Sequence, residues 1–184
     1  FKRLFDLLAC LLLLPLFCIF LVIIYILNKF YNKGTVFFMQ KRMGKDCKPF
    51  YAIKFRTMKP INVINRKYSD PLEIDRITPL GHLLRRYRID ELPQIINVFK
   101  GEMSLIGPRP DYYDHALFFL TNIPEYRYRH IIRPGISGLA QIRQGYAEGV
   151  DATRKKSIID IFYIKNACLS LDIKICIGTI FTII

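Results

Sequence analysis

Two acidic residues, Asp90 and Glu91, stand next to each other in the stretch RRYRIDELPQ. Arginines surround them: three precede the pair, and Arg109 follows within a Pro-Arg-Pro tripeptide. The planar guanidinium group can donate two parallel hydrogen bonds, which matches the oxygens of a phosphate. Carboxylates among arginines therefore indicate a site for phosphorylated substrates. The three preceding arginines are Arg85, Arg86 and Arg88.

Pro93 fixes where this acidic pair lies. Proline lacks an N–H group and is tolerated near the start of a helix, so the pair lies at or just before the first turn of a helix over 92–101. The unpaired N–H groups at a helix start favour negative charge, either from an acidic side chain or from a bound phosphate. Acidic residues at helix starts are commonly structural, and an arginine-rich helix can equally be a solvated face. The position of the pair alone does not decide between a structural role and a functional site.

The residue types of the pair fit phosphoryl transfer. An aspartate among arginines is expected to keep a low pKa, which makes Asp90 a poor base but a usable nucleophile towards phosphorus. Glu91 is a candidate Mg²⁺ ligand, because this ion usually binds one or two carboxylates together with substrate phosphates. The hypothesis is transfer through an aspartyl-phosphate type of intermediate.

Short elements are expected to position this site. β-branched and aromatic residues in two runs predict a pair of strands over 35–44 and 48–58, followed by a loop over 60–75. Leucine spacing predicts a helix over 79–88, and Gly101 ends the helix over 92–101.

Other stretches are expected to be less regular. Glycine and proline punctuate residues 103–110 and 133–141, which predicts loops. The C-terminal stretch from residue 158 is amphipathic to apolar, so it is expected to pack on the core or to lie against a membrane.

An apolar segment over 7–28 carries no charged side chain. As a helix it would measure about 33 Å, enough for a hydrocarbon core of about 30 Å. Pro15, which follows Leu14, removes a backbone hydrogen bond and bends a helix. Cations flank both ends, so the positive-inside rule gives no clear orientation. A spanning helix and a helix that re-enters the same leaflet both remain open. The flanking cations are Lys2, Arg3, Lys29 and Lys33.

The composition limits the class of protein. The chain has 184 residues and a net charge of +13, which predicts one domain with an appended segment and anionic partners such as nucleic acid, anionic lipid or phosphorylated small molecules. The five cysteines form no C-x-x-C pair, so reduced thiols are expected. The three histidines have no metal-ligand spacing, which argues against zinc. The sequence contains neither a Walker A pattern nor G-x-G-x-x-G.

Six stretches of the chain resemble the bacterial sugar transferases, the monotopic phosphoglycosyl transferases. In chain order they are VFFMQKRMG, KFRTM, RITPLG, DELPQIINVFKGEMSLIGPRP, RPGISGLAQ and LDIKI. The resemblance begins at FKRLFD and covers essentially the whole chain. It implies transfer of a sugar 1-phosphate from a UDP-sugar to a polyprenol phosphate, usually undecaprenyl phosphate, at the cytoplasmic face of the bacterial inner membrane.

The resemblance also implies roles for single residues. Asp90 would attack the phosphate that carries the sugar, releasing UMP, and the polyprenol phosphate would then attack the phosphosugar-enzyme. Glu91 would be associated with Mg²⁺ and the diphosphate. Asp160, in the stretch DIFYIKN, matches an acidic motif residue near the family's active site and is counted among the catalytic residues. The family's apolar segment is a re-entrant helix broken at a proline, which favours that interpretation of Leu14-Pro15. The residues at the family's phosphate- and nucleotide-binding positions are Lys54, Arg56, Arg85, Pro108, Arg109 and Arg133.

The chain departs from the family pattern at three places. Leu14 stands where the family often has serine before the proline, and Arg88 stands where a serine commonly precedes the acidic pair by two. The stretch GLAQIRQGYAEG replaces GWAQVNGRN. The identity of the sugar stays open.

These observations lead to one expected architecture. We expect an α+β protein in which a re-entrant membrane helix with basic flanks, residues 1–33, carries a small, mainly helical cytosolic domain with a short strand pair, residues 34–184. The expected partners are a UDP-sugar, polyprenol phosphate, membrane lipids and downstream glycosyltransferases, with Mg²⁺ as cofactor and no nucleic acid. The alternatives are a membrane-anchored basic module that binds anionic lipid without catalysis, and a membrane-tethered nucleic-acid binder. The oligomeric state stays open.

Overall fold

A computed structural model of the chain describes residues 2–32, 34–60, 73–145 and 149–183. Within them, seven α-helices and two pairs of short strands alternate along the chain. The predicted α+β class with an N-terminal apolar helix is therefore confirmed. Most of the loop expected over 60–75, and part of the stretch GYAEG, lie outside the described residues.

Helix α1, Lys2–Tyr31, continues through Pro15 and is long and apolar enough to cross a membrane by length and composition. One narrow face of α1 is buried against the rest of the protein, at spacings of four and seven residues. These spacings keep a stripe on one side of a helix. The opposite side exposes leucine and isoleucine side chains. The buried stripe consists of Asp6, Cys10, Phe17, Ile24 and Asn28.

Strands β1, Phe37–Met43, and β2, Pro49–Phe55, form the predicted antiparallel pair, shorter at the ends than expected. The 3₁₀ turn Lys45–Cys47 joins them. Phe55 stacks between Phe17 of α1 and Phe37 of β1, with ring centroids 6.1 and 5.6 Å away. The hairpin therefore shares one apolar core with α1.

Helix α2, Pro79–Arg86, begins where the Thr78 side chain accepts a hydrogen bond from the Gly81 N–H (3.0 Å), a helix-capping interaction. A 3₁₀ turn, Ile89–Gln94, and helix α3, Ile95–Lys100, replace the single helix predicted over 92–101. Pro93 lies inside the 3₁₀ turn rather than at the helix start, so the α-helix begins later. Gly101 ends α3 in a left-handed conformation (φ 81°), as predicted.

Strands β3, Ser104–Ile106, and β4, Gly135–Ser137, form a parallel pair where loops were predicted, so that prediction is wrong. Each strand has three residues, too few for an alternating pattern to be recognised. A Cβ atom on Gly107 would lie 2.8 Å from the carbonyl oxygen of Arg133 and 3.0 Å from the Gly135 nitrogen. The glycines therefore allow these two backbones to approach closely.

The remaining helices close the domain around these strands. Helices α4, Tyr113–Asn122, and α6, Gly149–Lys165, contact the 3₁₀ segment Pro124–His130. Helix α5, Leu139–Gln144, lies between α4 and α6 in the chain. Helix α7, Leu169–Ile183, buries Asp172 and Ile175 and exposes apolar side chains on its other side. One face of the C-terminal stretch thus packs on the core, which is one of the two arrangements expected from the sequence.

Candidate active site

The acidic pair, here called the dyad (Asp90 and Glu91), lies in the 3₁₀ turn Ile89–Gln94. Arg88 starts this turn in a left-handed conformation (φ 52°), which is uncommon for a residue with a side chain. Asp90 is 9% exposed and Glu91 7% exposed. Burying charged groups is costly unless they are paired, so the partners of each carboxylate decide its state.

Glu91 is held by two cations. The Lys54 ammonium group donates to its Oε1 at 2.7 Å, and the Arg109 guanidinium donates to both oxygens, to Oε2 at 2.9 Å. Burial alone would raise the pKa of Glu91, but Arg109 and Lys54 outweigh it and hold this pKa well below its ordinary value. Glu91 is therefore ionised and fixed in position.

Asp90 has different surroundings. Its carboxylate forms no hydrogen bond or ion pair with any residue in the part of the chain that the structure describes. Burial raises its pKa to about 6, an effect that Glu91 adds to and that the positive charges of Lys54, Arg85 and Arg109 oppose. The expected low pKa is thus wrong, because desolvation exceeds the attraction of the nearby cations. At pH 7 the group is still mainly ionised.

The Pro-Arg-Pro loop (residues 108–110) delivers Arg109 to the dyad. The parallel strands lie beside it: the Gly135 N–H donates to the Pro108 carbonyl at 3.0 Å. Arg109 also donates to the Ile136 carbonyl at 3.1 Å. The strand pair β3–β4, which was not predicted, thus positions a residue that was.

Arg85 approaches the dyad from α2. Its Nε donates to the Thr57 hydroxyl at 2.8 Å, and its charge lowers the pKa of Asp90. The backbone of α2 lies against Thr57 because Gly81 has no side chain: a Cβ atom there would collide with the Thr57 carbonyl. The structure therefore brings together the dyad and three of the predicted cations, Lys54, Arg85 and Arg109.

Two other predicted cations have contacts elsewhere. The Arg56 guanidinium donates to the carbonyls of Thr35 (2.7 Å) and Asn32, at the end of α1. The exposed Arg133 donates to the Gly101 carbonyl at 2.7 Å. No hydrogen bond among the described residues joins either of them to the dyad. KFRTM and RPGISG thus place their arginines at junctions between elements.

Asp160 forms no hydrogen bond or ion pair with the dyad among the described residues. It is 1% exposed and pairs with Arg129, whose Nη2 lies 2.8 Å from Oδ2. Arg129 and its other acidic partner, Asp111, were not singled out in the sequence. Asp111 directly follows Pro-Arg-Pro, a position that could have drawn attention. Nothing in the spacing of YRYRH distinguishes a buried arginine from exposed ones.

The dyad also allows a test of the expected Mg²⁺. Among the described residues no cluster of three or more possible metal ligands occurs. A carboxylate offers about four lone-pair positions, and Glu91 uses three of them for Lys54 and Arg109. One position remains on Oε2. The site therefore fits an ion that takes few protein ligands and completes its coordination with substrate phosphates, as Mg²⁺ does.

The residues expected at the membrane lie at the two ends and in the middle of α1. Lys2 donates to Asp172 of α7 at 2.5 Å, and Arg3 donates to the Phe99 carbonyl at 3.1 Å. At the other end, the Lys29 ammonium lies 5.0 Å from the centre of the Tyr25 ring. Leu14 packs partly against the core, and Pro15 is exposed.

Fold and site together define a protein with an apolar helix and a cationic, dyad-centred site suited to phosphorylated groups. The family described as bacterial sugar transferase matches residues 1–184, and the chain belongs to this family.

Three relatives illustrate the similarity. The chain is 44% identical over its whole length to a UDP-N-acetylgalactosamine-undecaprenyl-phosphate N-acetylgalactosaminephosphotransferase of Aeromonas hydrophila. Over 97% of its length it is 39% identical to a UDP-glucose:undecaprenyl-phosphate glucose-1-phosphate transferase of Caulobacter vibrioides, and 36% identical to the exopolysaccharide production protein PSS of Rhizobium leguminosarum bv. phaseoli. It spans 43%, 68% and 92% of the lengths of these three proteins, respectively.

Proposed function

We propose that this protein transfers a sugar 1-phosphate from a UDP-sugar to a polyprenol phosphate, through a covalent intermediate on Asp90. Family membership and the names of the relatives support the overall reaction. The observation that carries the mechanism is the contrast within the dyad: Glu91 is held by two cations, whereas Asp90 has no partner among the described residues.

In the first step, an Asp90 oxygen attacks the phosphorus atom that carries the sugar. The bond from this phosphorus to the bridging oxygen of the diphosphate breaks, and its electron pair leaves with UMP. The carboxylate needs no base for this attack, because it is mainly ionised at neutral pH with a pKa of about 6. Arg85, Arg109 and Lys54 supply positive charge near the developing charge on the phosphate oxygens.

In the second step, a phosphate oxygen of the polyprenol phosphate attacks the same phosphorus. The bond between Asp90 and phosphorus breaks, which restores the carboxylate and yields a polyprenol diphosphate sugar. Mg²⁺, when bound, would neutralise charge on the diphosphate, and the remaining lone pair on Glu91 Oε2 is where this protein would hold it. Arg109 and Lys54 keep Glu91 in place for that contact.

The test combines product analysis with detection of the intermediate. UDP-glucose, UDP-N-acetylgalactosamine and other UDP-sugars are each incubated with the protein, undecaprenyl phosphate and Mg²⁺, and UMP is measured. Without acceptor, intact-protein mass spectrometry should detect one added sugar phosphate in the wild type and none in Asp90→Asn. Anionic-lipid binding without UMP release from any donor would instead support the non-catalytic membrane module.

We also propose that the dyad and both ends of α1 lie at the cytoplasmic face, with the exposed apolar side of α1 in the lipid. Contacts at both ends of the helix support this placement. At the start, Asp6 accepts from the Ser104 hydroxyl at 2.8 Å, and at the end, Asn28 donates to the Gly34 carbonyl at 2.7 Å. A helix joined at both ends to one domain cannot easily carry one end across a bilayer.

A further inference from the structure

A cluster of four charged side chains lies beneath the Pro-Arg-Pro loop, and the reaction steps above use none of them. The side chain of Arg129 is fully buried, and the others are at most 19% exposed. This buried charge cluster consists of Asp111, Arg129, Lys156 and Asp160.

Arg129 is the centre of the cluster. Its Nε donates to Asp160 Oδ2 at 3.0 Å, its Nη1 donates to Asp111 Oδ2, and its Nη2 donates to the Arg109 carbonyl at 2.8 Å. Asp111 in turn accepts from Lys156 at 2.6 Å and from the Tyr126 hydroxyl at 2.7 Å. The guanidinium is thus fixed on two acidic groups while it donates to the loop.

The loop needs such external contacts because two of its three residues are prolines, which have no N–H to donate. Four consecutive carbonyls, of residues 108–111, each accept a hydrogen bond from another segment. Besides Arg129, Arg42 of β1 donates to the Pro110 carbonyl at 2.8 Å. The other two donors are the backbone N–H groups of Gly135, to Pro108, and of Met43, to Asp111 at 3.1 Å.

The cost of this arrangement suggests a purpose beyond stability. Removing an arginine and two carboxylates from water is expensive, and apolar residues of similar size often stabilise a protein as well or better. What apolar residues cannot do is donate to the carbonyl of Arg109. The two acids balance the charges of Arg129 and Lys156, and Arg129 donates to the backbone of the residue that holds Glu91.

We propose that Arg129, oriented by Asp160 and Asp111, is a positioning residue that sets the Pro-Arg-Pro loop so that Arg109 meets Glu91 and the diphosphate. This inference rests on the proposed function and deepens it. It assigns Asp160 an indirect role: Asp160 acts through Arg129 and does not touch the reacting phosphorus. Arg129 and Asp160 are then coupled to Arg109 in their effect on the reaction.

A double-mutant cycle tests this coupling. Arg129→Lys and Asp160→Asn are each made in the wild type and in Arg109→Lys, which keeps the charge at 109. We expect each to lower kcat/KM at least about tenfold in the wild type and less than about threefold in Arg109→Lys. The same cycle is measured with the dissociation constant of UDP, which requires no turnover. Matched controls are Arg127→Lys, an exposed arginine in the same 3₁₀ segment, and Asp151→Asn, whose side chain is 94% exposed on α6; both should leave these values unchanged.

Thermal unfolding of every variant separates positioning from folding. Equal losses in both backgrounds would overturn the proposal, because they would show that the cluster acts independently of Arg109. Failure of both Arg129→Lys and Asp160→Asn to fold would also overturn it and make the cluster a stability element. If the wild type releases no UMP from any donor, the proposed function fails, whereas additive losses in an active protein contradict only the positioning role.

Discussion

Asp90 and Glu91 are neighbours in the chain, yet their carboxylates differ in partners and in charge behaviour. Lys54 and Arg109 pair with Glu91 and lower its pKa, while burial, with no hydrogen-bond partner among the described residues, raises the pKa of Asp90 to about 6. An unpaired carboxylate retains its lone pairs for reaction, and a paired one is held in place. The proposed division of roles, with Asp90 as nucleophile and Glu91 as metal contact, rests on this difference.

Asp90→Asn should abolish UMP release and also stabilise the protein, because it removes a buried charge for which the described part of the chain provides no hydrogen bond or ion pair. The rise of this pKa from 3.8 to about 6 corresponds to at most about 3 kcal/mol of the free energy of unfolding at pH 8. We expect a higher melting temperature for the variant, measured without Mg²⁺ or substrate. A variant that is inactive but less stable than the wild type would contradict this account of Asp90.

The pH dependence of that difference has a definite sign. Above about pH 6 the carboxylate is ionised in both the folded and the unfolded states, and only the folded state bears the cost of burying the charge. Below about pH 4 it is protonated in both states, and the cost disappears. The melting temperatures of wild type and Asp90→Asn should therefore converge as the pH falls from 8 to 4. A constant difference would attribute the stabilisation to another cause.

Glu91→Gln should weaken the response to Mg²⁺ as well as the rate. A neutral amide oxygen is a poorer ligand for a hard cation than a carboxylate oxygen, and the change also leaves Arg109 and Lys54 without their counter-charge. The measurement is a Mg²⁺ titration of UMP release, in which the half-saturating concentration should rise. An unchanged titration would remove Glu91 from the metal site.

Arg109→Lys should lower kcat/KM at least about tenfold, or about 1.4 kcal/mol. Lysine keeps the charge, but it cannot donate to both Glu91 oxygens and to Ile136 at once, as the guanidinium does. Steady-state kinetics with a UDP-sugar donor check this. Kinetics near those of the wild type would show that Arg109 has only a structural role between Pro108 and Pro110.

Sequence patterns identified the dyad and three of its cations but not their pairing. Lys54 on β2, Arg85 on α2 and Arg109 in a loop come together in the structure. The sequence predicted this grouping only through the family resemblance. Arg56 and Arg133 also occupy positions of the family motifs, but their guanidinium groups bind carbonyls at junctions between other elements. Whether an arginine of these motifs reaches the dyad depends on the burial and direction of its side chain. Tertiary packing determines both, and the spacing of residues in the sequence does not.

At the scale of elements, the strand pair β3–β4 supports the loop that contains Arg109 and depends on glycine. A Cβ atom at Gly135 would collide with backbone atoms of Gly107 and Ser137, which cannot rotate away. Gly135→Ala should therefore push the strands apart and lower the free energy of unfolding by up to about 3 kcal/mol. It should also lower activity, since Gly135 holds the Pro108 carbonyl. Thermal unfolding and UMP release measure the two effects.

Gly101→Ala is the matched control for that change. Gly101 has a left-handed conformation, but a Cβ atom there would have only the end of the Arg3 side chain nearby, at 3.8 Å. The expected cost is therefore the conformational one alone, about 1 kcal/mol, with activity retained. If both alanine variants lose equal stability and activity, close backbone approach is not the reason for glycine at 135.

Longer elements were predictable and the shortest were not. The β1–β2 hairpin, α2 and the glycine end of α3 have local signals: β-branched runs, leucine spacing and a C-terminal glycine. Strands of three residues have no period to detect, and glycine and proline punctuation resembles that of loops. The 3₁₀ turn that holds the dyad was missed for a related reason, because Pro93 is as compatible with a helix start as with a 3₁₀ turn.

At the scale of the whole molecule, α1 is part of the core as well as the proposed membrane helix. Cys10, Phe17 and Ile24 pack in the same apolar cluster as Phe55 and Val98. Hydropathy could not reveal this, because residues 7–27 are apolar on every side and leave no contrast between faces. The signal lay at the flanks: Asp6 and Asn28 are polar, buried and on the stripe that faces the domain.

This packing leads to a prediction about topology. Lys2 binds Asp172 and Tyr163 on α6–α7, and Arg56 binds the backbone beyond the other end of α1, so both ends are attached to one domain. We expect single cysteines placed at Lys2 and at Lys29, in a variant without the native cysteines, to be labelled only from the cytoplasmic side.

The controls decide between the two membrane arrangements. Arg127→Cys, on the exposed surface of the domain, reports the cytoplasmic side. Lys2→Cys removes the ammonium contacts with Asp172 and Tyr163, but Arg3 and Asp6 still join this end to Phe99 and Ser104, so the end should stay in place. In intact spheroplasts, an impermeant reagent should leave all three positions unlabelled, and permeabilisation should expose them together. Labelling at residue 2 before permeabilisation would show that α1 crosses the bilayer, and the contacts at its first turn would then have to break in the membrane.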